Sequence, residues 1–497
     1  MFLEFRQRVA ARLGVGRDFV SGFAWNHAAK VAEYLLLYLL SVAIARSLGP
    51  SANGEYATLM TLCQLLLTFG SAAFDLALNR FLPQFSNSPG KTSYIVRRML
   101  ATKIVIIAAV SILLFLRWSD VRQWFDFQSP STLYVVFVVV VGFLRAISST
   151  LAAVAVSRLE SKVIFVINAG SLFLQLAAVE MLVSHQSGLT PVLFIVLAGS
   201  LASSSAYLFA ERRSLLTPVE PSAMKPVASF AGWLWVNAFT TFIYGRQGDI
   251  MMLSLFAVSK GSIGMYDVAS SLSMLPAFAA AAGLGGISVS MFSRISSSGR
   301  DKVSEFWSRL SALLTNFTVP LYCFLGVYAS EVVGMLYSEQ YADGATLLQV
   351  FVAARLIARL FGGGESFDAL LSTNGERPAV GIGLVGSLMN LALNIILIPK
   401  FQALGAVVST SSMIVVVDAA TWLLLKKRVG APLLIKNWLT SCSVGLLPVV
   451  FMKMLIPHPN PPQLLLCAAP CIFVWVFWIM NFQLRPGRSA ETTDAAA

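Results

Sequence analysis

Long apolar segments recur along the whole chain and are separated by short polar or basic stretches. A helix needs about 20 such residues to cross the hydrocarbon core of a bilayer. Because the apolar runs are continuous and do not alternate with polar residues, they predict helices and not barrel strands. The segments lie at 20–46, 54–80, 97–116, 132–156, 162–184, 189–210, 228–256, 263–291, 306–329, 344–371, 378–399, 403–425, 436–456 and 463–483. The pattern therefore predicts an all-α polytopic membrane protein with about 14 transmembrane helices.

The composition supports a membrane protein and excludes a soluble enzyme. Of 497 residues, 57% are hydrophobic and 12% are charged, which is about half the charged fraction of a soluble protein. The net charge is +12, but the basic residues are not gathered on one face or tail, so nucleic-acid binding is not indicated. Almost all loop Lys and Arg residues fall in alternate loops, which predicts that these loops and both termini are cytoplasmic.

An internal repeat divides the chain. GPSANGEYATLMT (49–61) aligns with SKGSIGMYDVASS (259–271), so that Gly54 falls on Gly264 and Tyr56 on Tyr266. Both segments join the first two helices of a six-helix set, which predicts two parallel six-helix repeats plus two extra C-terminal helices. The predicted parts are an amphipathic or solvated N-terminal segment 1–18, an N-lobe 19–210, a cytoplasmic linker 211–227, a C-lobe 228–428, two extra helices 429–484 and a cytoplasmic tail 485–497.

Three stretches carry a resemblance to a known family. The first is IARSLGPSANGEYATLMTLCQLLLTFGSAAFDLALNRFLPQF (44–85), the second GRQGDIMMLSLFAVSKGSIGMYDVA (245–269) and the third LMNLALNIILIPKFQALGAVVSTSSMIVVVDAATWLLLKKR (388–428). The matching positions are Leu48, Gly49, Pro50, Gly54, Tyr56, Asp75, Arg80, Phe81, Asp249, Gly264, Tyr266, Asn390, Asn394, Pro399, Gly405 and Ala406. The chain resembles the polysaccharide-transport flippases (O-antigen and exopolysaccharide type) of the multidrug/oligosaccharidyl-lipid/polysaccharide exporter superfamily. Gln402 departs from the pattern, because the family often has glycine there.

The resemblance implies a function that is not enzymatic. Such a flippase moves a lipid-linked oligosaccharide, undecaprenyl-diphosphate-linked in bacteria, from the cytoplasmic to the periplasmic leaflet of the inner membrane. It also implies a polysaccharide polymerase and a chain-length regulator as possible partners, in addition to membrane lipids. The alternative within the superfamily is a drug/cation antiporter, for which an acid-dominated cavity is expected. A membrane polymerase or ligase would need a sizeable external catalytic loop, and the sequence has none.

Basic residues within the predicted spans are candidates for binding a diphosphate headgroup, because guanidinium groups bind phosphate oxygens bidentately. A charge at a helix centre costs about 3 kcal/mol on insertion scales, so it is expected to face a cavity or a partner. The predicted substrate-binding residues are Arg145, Arg246, Arg355, Arg359 and Lys30. For two of them an alternative stays open, because Lys30–Glu33 and Arg246–Asp249 are spaced at i, i+3 and could be structural ion pairs. Lys103 is interpreted as shallow and snorkelling.

Acidic residues within spans are candidates for coupling transport to H⁺ or Na⁺. They are Glu33, Asp75, Asp249 and Asp418, and they could equally be counter-ions for the arginines. Glu365 and Asp368 are interpreted as hydrated residues near a helix end. Three consecutive glycines, 362–364, predict either a hinge in the tenth helix or close helix packing.

No metal, cofactor or catalytic motif is indicated. The five cysteines lie in apolar segments without a CxxC pair, and the three histidines show no metal-ligand spacing. GIGLVG (381–386) fits G-x-G-x-x-G but lies inside an apolar span, where small residues serve helix packing.

Overall fold

The computed structural model describes residues 17–70, 72–85, 87–127, 132–158, 160–183, 188–281, 285–296, 299–373, 375–457 and 459–478. Within these ranges all regular structure is helical. The α-helices are α1 (Arg17–Gly70), α2 (Ala72–Phe81), α3 (Pro89–Leu116), α4 (Trp118–Trp124), α5 (Thr132–Ser157), α6 (Ser161–Leu182), α7 (Leu189–Ala210), α8 (Arg212–Leu216), α9 (Lys225–Tyr244), α10 (Arg246–Leu255), α11 (Lys260–Ala281), α12 (Gly285–Ser296), α13 (Arg300–Val327), α14 (Ala329–Tyr337), α15 (Gly344–Arg359), α16 (Gly364–Ser372), α17 (Glu376–Val429), α18 (Ile435–Leu455) and α19 (Pro461–Trp478). Two 3₁₀ turns lie at Leu82–Phe85 and Glu339–Tyr341. The predicted segments 1–18 and 485–497 fall almost wholly or wholly outside the described residues.

Ten helical segments among the described residues are long and apolar enough to cross a membrane. Two of them, Lys30–Gly70 with 41 residues and Arg377–Val429 with 53, are about twice the length of one crossing. Each is interrupted by one residue with non-helical torsion angles, Gly49 in α1 and Gln402 in α17. The helix α17 therefore contains two of the predicted spans, 378–399 and 403–425, and α1 contains the span 20–46 and most of the span 54–80. The all-α membrane fold is confirmed, and the total of fourteen spans stays a prediction.

The break in α17 lies at Gln402, the position at which the sequence departs from the family pattern. Gln402 has φ of 51° and ψ of −129°, a region that side chains with a Cβ rarely adopt. Glycine reaches it without steric cost. A glycine at this position would meet the backbone requirement without strain, whereas Gln402 meets it with strain.

Two of the predicted spans are broken, and for the first of them the prediction of a continuous helix was wrong. The segment 228–256 divides into α9 and α10 at Gly245, which is extended with ψ of 171°. The segment 344–371 divides into α15 and α16, with positive φ at Gly362 and Gly363. The predicted interruption at the glycine run is therefore present. It also involves close packing, since a Cβ on Gly362 would lie 2.5 Å from the Trp307 ring.

The chain forms two compact units. Of the described residues, the N-terminal unit contains those within 32–268 and 387–410, and the C-terminal unit contains those within 17–31, 269–386 and 411–478. In the N-terminal unit, one apolar core lies among α1, α5 and α7, and a second lies where α2 and α9 pack together. In the C-terminal unit, the core joins α12, α13 and α16. The predicted division into lobes at 211–227 stays a prediction.

The two repeat-related segments contact each other reciprocally within the N-terminal unit. A Cβ on Gly54 would lie 1.8 Å from the Lys260 carbonyl oxygen, and a Cβ on Gly264 would lie 2.1 Å from the Pro50 carbonyl oxygen. These four positions are related by the same offset of 210 that aligns the repeat. The helices thus meet backbone to backbone, and each glycine leaves room for a backbone carbonyl of the other segment. This reciprocity supports the internal duplication.

Lys260 continues this contact at the start of α11. Its ammonium donates to the Phe125 carbonyl oxygen at 2.5 Å and lies 5.1 Å from the centroid of the Phe127 ring. Burial lowers the pKa of Lys260 to about 8, although the nearby carboxylates of Asp126 and Glu55 oppose the shift. Lys260 therefore ties α11 to the turn that follows α4.

Candidate functional site

Asp249 is the acid with the fullest set of polar neighbours. It lies in the first turn of α10, just after the break at Gly245, and is fully buried. It accepts hydrogen bonds from Tyr266 OH at 2.5 Å, Asn394 Nδ2 at 2.8 Å and Asn390 Nδ2 at 3.2 Å, and from the Thr410 hydroxyl. Among the described residues, no Lys or Arg lies within ion-pair distance of it. The carboxylate is thus held by four neutral donors.

Three of these neighbours are functional candidates that sequence reasoning did not select. Asn390 and Asn394 were noted only as family positions, and Thr410 was not noted. Asn394 Oδ1 is buried and has no hydrogen-bond partner in the described part of the chain. Two asparagines one turn apart in an apolar span were the available signal, because buried amides need partners.

Arg246 does not use the acid one turn away. Its Nη1 lies 3.2 Å from Asp267 Oδ1 on α11, whereas Asp249 is held by the neutral donors. The break at Gly245 starts a new helix at Arg246. The i, i+3 spacing predicted an ion pair for Arg246 but assigned it to the wrong acid. Asp267 was missed.

Asp75 has a resident counter-ion. The Lys103 ammonium lies 2.9 Å from Asp75 Oδ1 and also donates to the Ala146 carbonyl, Ser149 Oγ and Thr150 Oγ1. The Lys103 side chain is 0% exposed. The interpretation of Lys103 as a shallow, snorkelling residue was therefore wrong. A residue near a span end can still be enclosed when neighbouring helices supply oxygen ligands.

Arg359 also has a carboxylate partner. Its Nη1 lies 3.2 and 3.0 Å from the two Glu365 carboxylate oxygens, and its Nη2 donates to Ser311 O and Thr315 Oγ1. Both members of the pair are 10% exposed. Glu365 is therefore not the hydrated residue that its position suggested. The chain reversal at Gly362 and Gly363 brings the two side chains together, which a helical register could not reveal.

Arg145 and Arg355 remain without a carboxylate. Neither lies within ion-pair distance of an acid among the described residues. Arg145, in α5, is half-buried and acts electrostatically on Tyr56 and Cys63. Arg355, in α15, donates from Nε to Ser273 Oγ at 3.2 Å. These two guanidinium groups therefore keep most of their donor capacity.

The remaining candidates lie in different surroundings. Glu33 accepts a hydrogen bond from Asn168 Nδ2 at 2.9 Å, and Tyr207 OH donates to Asn168 Oδ1 at 2.9 Å. Lys30 is half-buried and has an interaction partner of its own. Asp418, in α17, lies in the electrostatic field of Arg359 and Arg355.

Metal chemistry finds no support in the part of the chain that the structure describes. No group of three or more His, Cys, Asp or Glu side chains there is arranged to hold a metal ion. All five cysteines are free thiols.

Comparisons with known proteins fit this architecture. A family model described as polysaccharide biosynthesis protein matches residues 43–346. An uncharacterized membrane protein of Methanocaldococcus jannaschii is 21% identical, and the match covers 94% of this chain and 96% of that protein. Among solved structures, the lipid II flippase MurJ in an inward closed conformation is similar with a TM-score of 0.71 at 16% identity, covering 92% of this chain and 98% of that chain. An inward-facing multidrug resistance transporter of the MATE family has a TM-score of 0.63 at 10% identity, covering 82% and 98%. These likenesses show the fold.

Proposed function

The chain belongs to the polysaccharide biosynthesis protein family, and we propose that it is a flippase for a lipid-linked oligosaccharide. The cargo is an undecaprenyl-diphosphate-linked glycan, which moves from the cytoplasmic to the periplasmic leaflet for surface polysaccharide biosynthesis. Transport proceeds by alternating access, with a cationic cavity that receives the headgroup. The protein lies in the bacterial inner membrane with both termini in the cytoplasm. A polymerase and a chain-length regulator are its proposed partners.

One observation carries the proposal, namely arginines inside apolar helices that have no carboxylate partner. A guanidinium group in the bilayer is unfavourable unless it meets a partner or water. A diphosphate that crosses the membrane needs positively charged partners, because its negative charge must leave water. Bidentate hydrogen bonds from arginine offset part of that desolvation cost. A drug/cation antiporter would need carboxylates open to a cationic cargo, whereas Asp249, which has no Lys or Arg partner among the described residues, already accepts hydrogen bonds from four neutral donors.

Ion coupling is proposed for Asp249 ahead of the other three acids. Asp75 is matched by Lys103, Asp418 lies near two arginines, and Glu33 is bonded to Asn168. Asp249 instead lies among neutral oxygen and amide groups, so binding of H⁺ or Na⁺ would complete its charge. Asp249→Asn is then expected to abolish dependence on the coupling ion while leaving the protein in the membrane.

The test is mass spectrometry of lipid-linked glycans from a strain that lacks this gene. The proposal predicts accumulation of an undecaprenyl-diphosphate oligosaccharide together with loss of the surface polymer, both reversed by the wild-type gene. An unchanged lipid pool would contradict the flippase function and favour the drug/cation antiporter.

A further inference from the structure

Apart from Lys30, the deep basic residues fall into two groups. Lys103, Arg246 and Arg359 each lie within 3.2 Å of a carboxylate oxygen, on Asp75, Asp267 and Glu365 respectively. Such pairs hold helices together and leave little net charge for a ligand. Arg145 and Arg355 have no acid within that reach in the described part of the chain. The positive charges of Arg145 and Arg355 are therefore not neutralised by a carboxylate within that distance, and they are available to a ligand.

These two arginines occupy the same position in the two repeats. The offset of 210 that relates Gly54 to Gly264 also relates Arg145 to Arg355. Because charged residues are rare within the spans, an arginine pair in register is not expected by chance. Two independent properties, missing acid partners and repeat register, thus select the same two residues.

The surroundings of the two arginines are related in the same way. Arg355 donates to Ser273, and Arg145 lies close enough to Cys63 to act on it electrostatically. Cys63 and Ser273 are themselves separated by 210. Each arginine therefore acts on the equivalent position of the second helix in its own repeat, Arg355 by a hydrogen bond and Arg145 through its charge. In neither repeat is that neighbour an acid.

We infer that Arg145 and Arg355 are one anion-binding position present twice, and that each binds phosphoryl oxygens of the lipid diphosphate. This inference rests on the proposed function and narrows it to two residues. Lys103, Arg246 and Arg359 act as counter-ions that position helices. Ser273 accepts a hydrogen bond from Arg355 Nε, and Tyr322 interacts with the same guanidinium group; the N–H groups that remain are available to phosphate oxygens.

The test measures binding of geranylgeranyl diphosphate to the purified full-length protein in detergent, with geranylgeraniol as the uncharged analogue. Arg145→Gln and Arg355→Gln are each expected to raise the Kd for the diphosphate about tenfold or more, because a charge-assisted hydrogen bond is lost. The Kd for the alcohol should stay unchanged. Arg145→Lys and Arg355→Lys retain the charge but lose the fork, so they should also weaken binding of the diphosphate.

The matched control is the double variant Arg359→Gln/Glu365→Gln, which removes a complete ion pair from the same region as Arg355. It is expected to keep the diphosphate Kd within about threefold of wild type, since a neutralised pair adds little to ligand binding. The inference would be overturned if both single Gln variants bound the diphosphate with the wild-type Kd. It would also be overturned if the control lost as much affinity as the single variants. Neither result would contradict the flippase function. If wild-type protein binds the diphosphate no better than the alcohol, the proposed function fails, and the inference with it.

Export in cells gives a second readout. Arg145→Ala and Arg355→Ala should each reduce glycan export while protein abundance in the membrane is unchanged. Normal export from both variants would contradict the assignment.

Discussion

Replacing Lys103 with methionine tests whether the Lys103–Asp75 pair is a structural element. The substitution keeps the length of the side chain and removes its charge. Four oxygen partners lose the ammonium, namely Asp75, the Ala146 carbonyl, Ser149 and Thr150. Three of them need no replacement, because Ser149 and Thr150 already bond to the Ala146 carbonyl within α5. Asp75 is the partner that loses its counter-ion.

The magnitude follows from the burial of the pair. Removing one member of a buried ion pair costs about 3–5 kcal/mol, because the other charge is left uncompensated. Because the Asp75 side chain is 19% exposed and therefore partly hydrated, we expect Lys103→Met to destabilise the protein by about 3 kcal/mol, at the lower end of this range. Asp75→Leu leaves the fully enclosed Lys103 charged and should cost about 4 kcal/mol or more.

The double variant provides the control. Lys103→Met/Asp75→Leu removes both charges and leaves the hydroxyls of α5 satisfied, so its cost should be about 1 kcal/mol. The free energy of unfolding is measured by titration with sodium dodecyl sulfate in mixed micelles for all four proteins. The expected coupling energy is several kcal/mol. Additive losses would show that the two charges do not stabilise each other and would refute the assignment of Asp75 as a paired residue.

For three further substitutions, the direction of the change in stability follows from the structure. Gln402→Gly should raise stability by about 1–3 kcal/mol by relieving positive-φ strain, and a loss in the same titration would refute that reading. Gly264→Ala should lower the free energy of unfolding by about 1–3 kcal/mol, because the new Cβ would clash with the Pro50 carbonyl oxygen. Its control is Gly261→Ala, whose Cβ would have no neighbour within 4 Å and which should leave the stability unchanged. Lys260→Met should raise the melting temperature at pH 7, because burial lowers the pKa of Lys260 from 10.5 to about 8. The folded state holds that proton less tightly than the unfolded chain, so wild-type stability recovers as pH rises from 8 to 10.5. An equal gain at pH 7 and pH 10 would contradict this.

The fold class could be predicted because it depends on local properties of the chain. Apolar runs of spanning length determine that the segments are helices in a bilayer, whichever neighbours they pack against. The duplication was visible in Gly54 and Gly264, since only glycine permits the backbone approach that the structure shows there. The break at Gly245 was missed, because a single glycine in an apolar segment is compatible with a continuous helix.

Partners of the buried charges could not be predicted to the same extent. The search for acids one turn away assigned Arg246 to Asp249, but a side chain in a bundle can also reach a neighbouring helix, and Arg246 reaches Asp267. Lys103 was misjudged for the same reason. The repeat register of Arg145 and Arg355 was present in the sequence from the start. It gains weight only when the structure shows which other basic residues are already paired.

Reconstitution tests the flippase function most directly. The protein is placed in liposomes that contain a fluorescently labelled undecaprenyl-diphosphate oligosaccharide in both leaflets, and dithionite, which does not cross the bilayer, is added outside. The account predicts that fluorescence from the inner leaflet is also lost in vesicles with wild-type protein, and that it is retained in protein-free vesicles and with Arg145→Gln/Arg355→Gln. Retention of the inner-leaflet signal with folded wild-type protein supplied with an ion gradient would contradict the account.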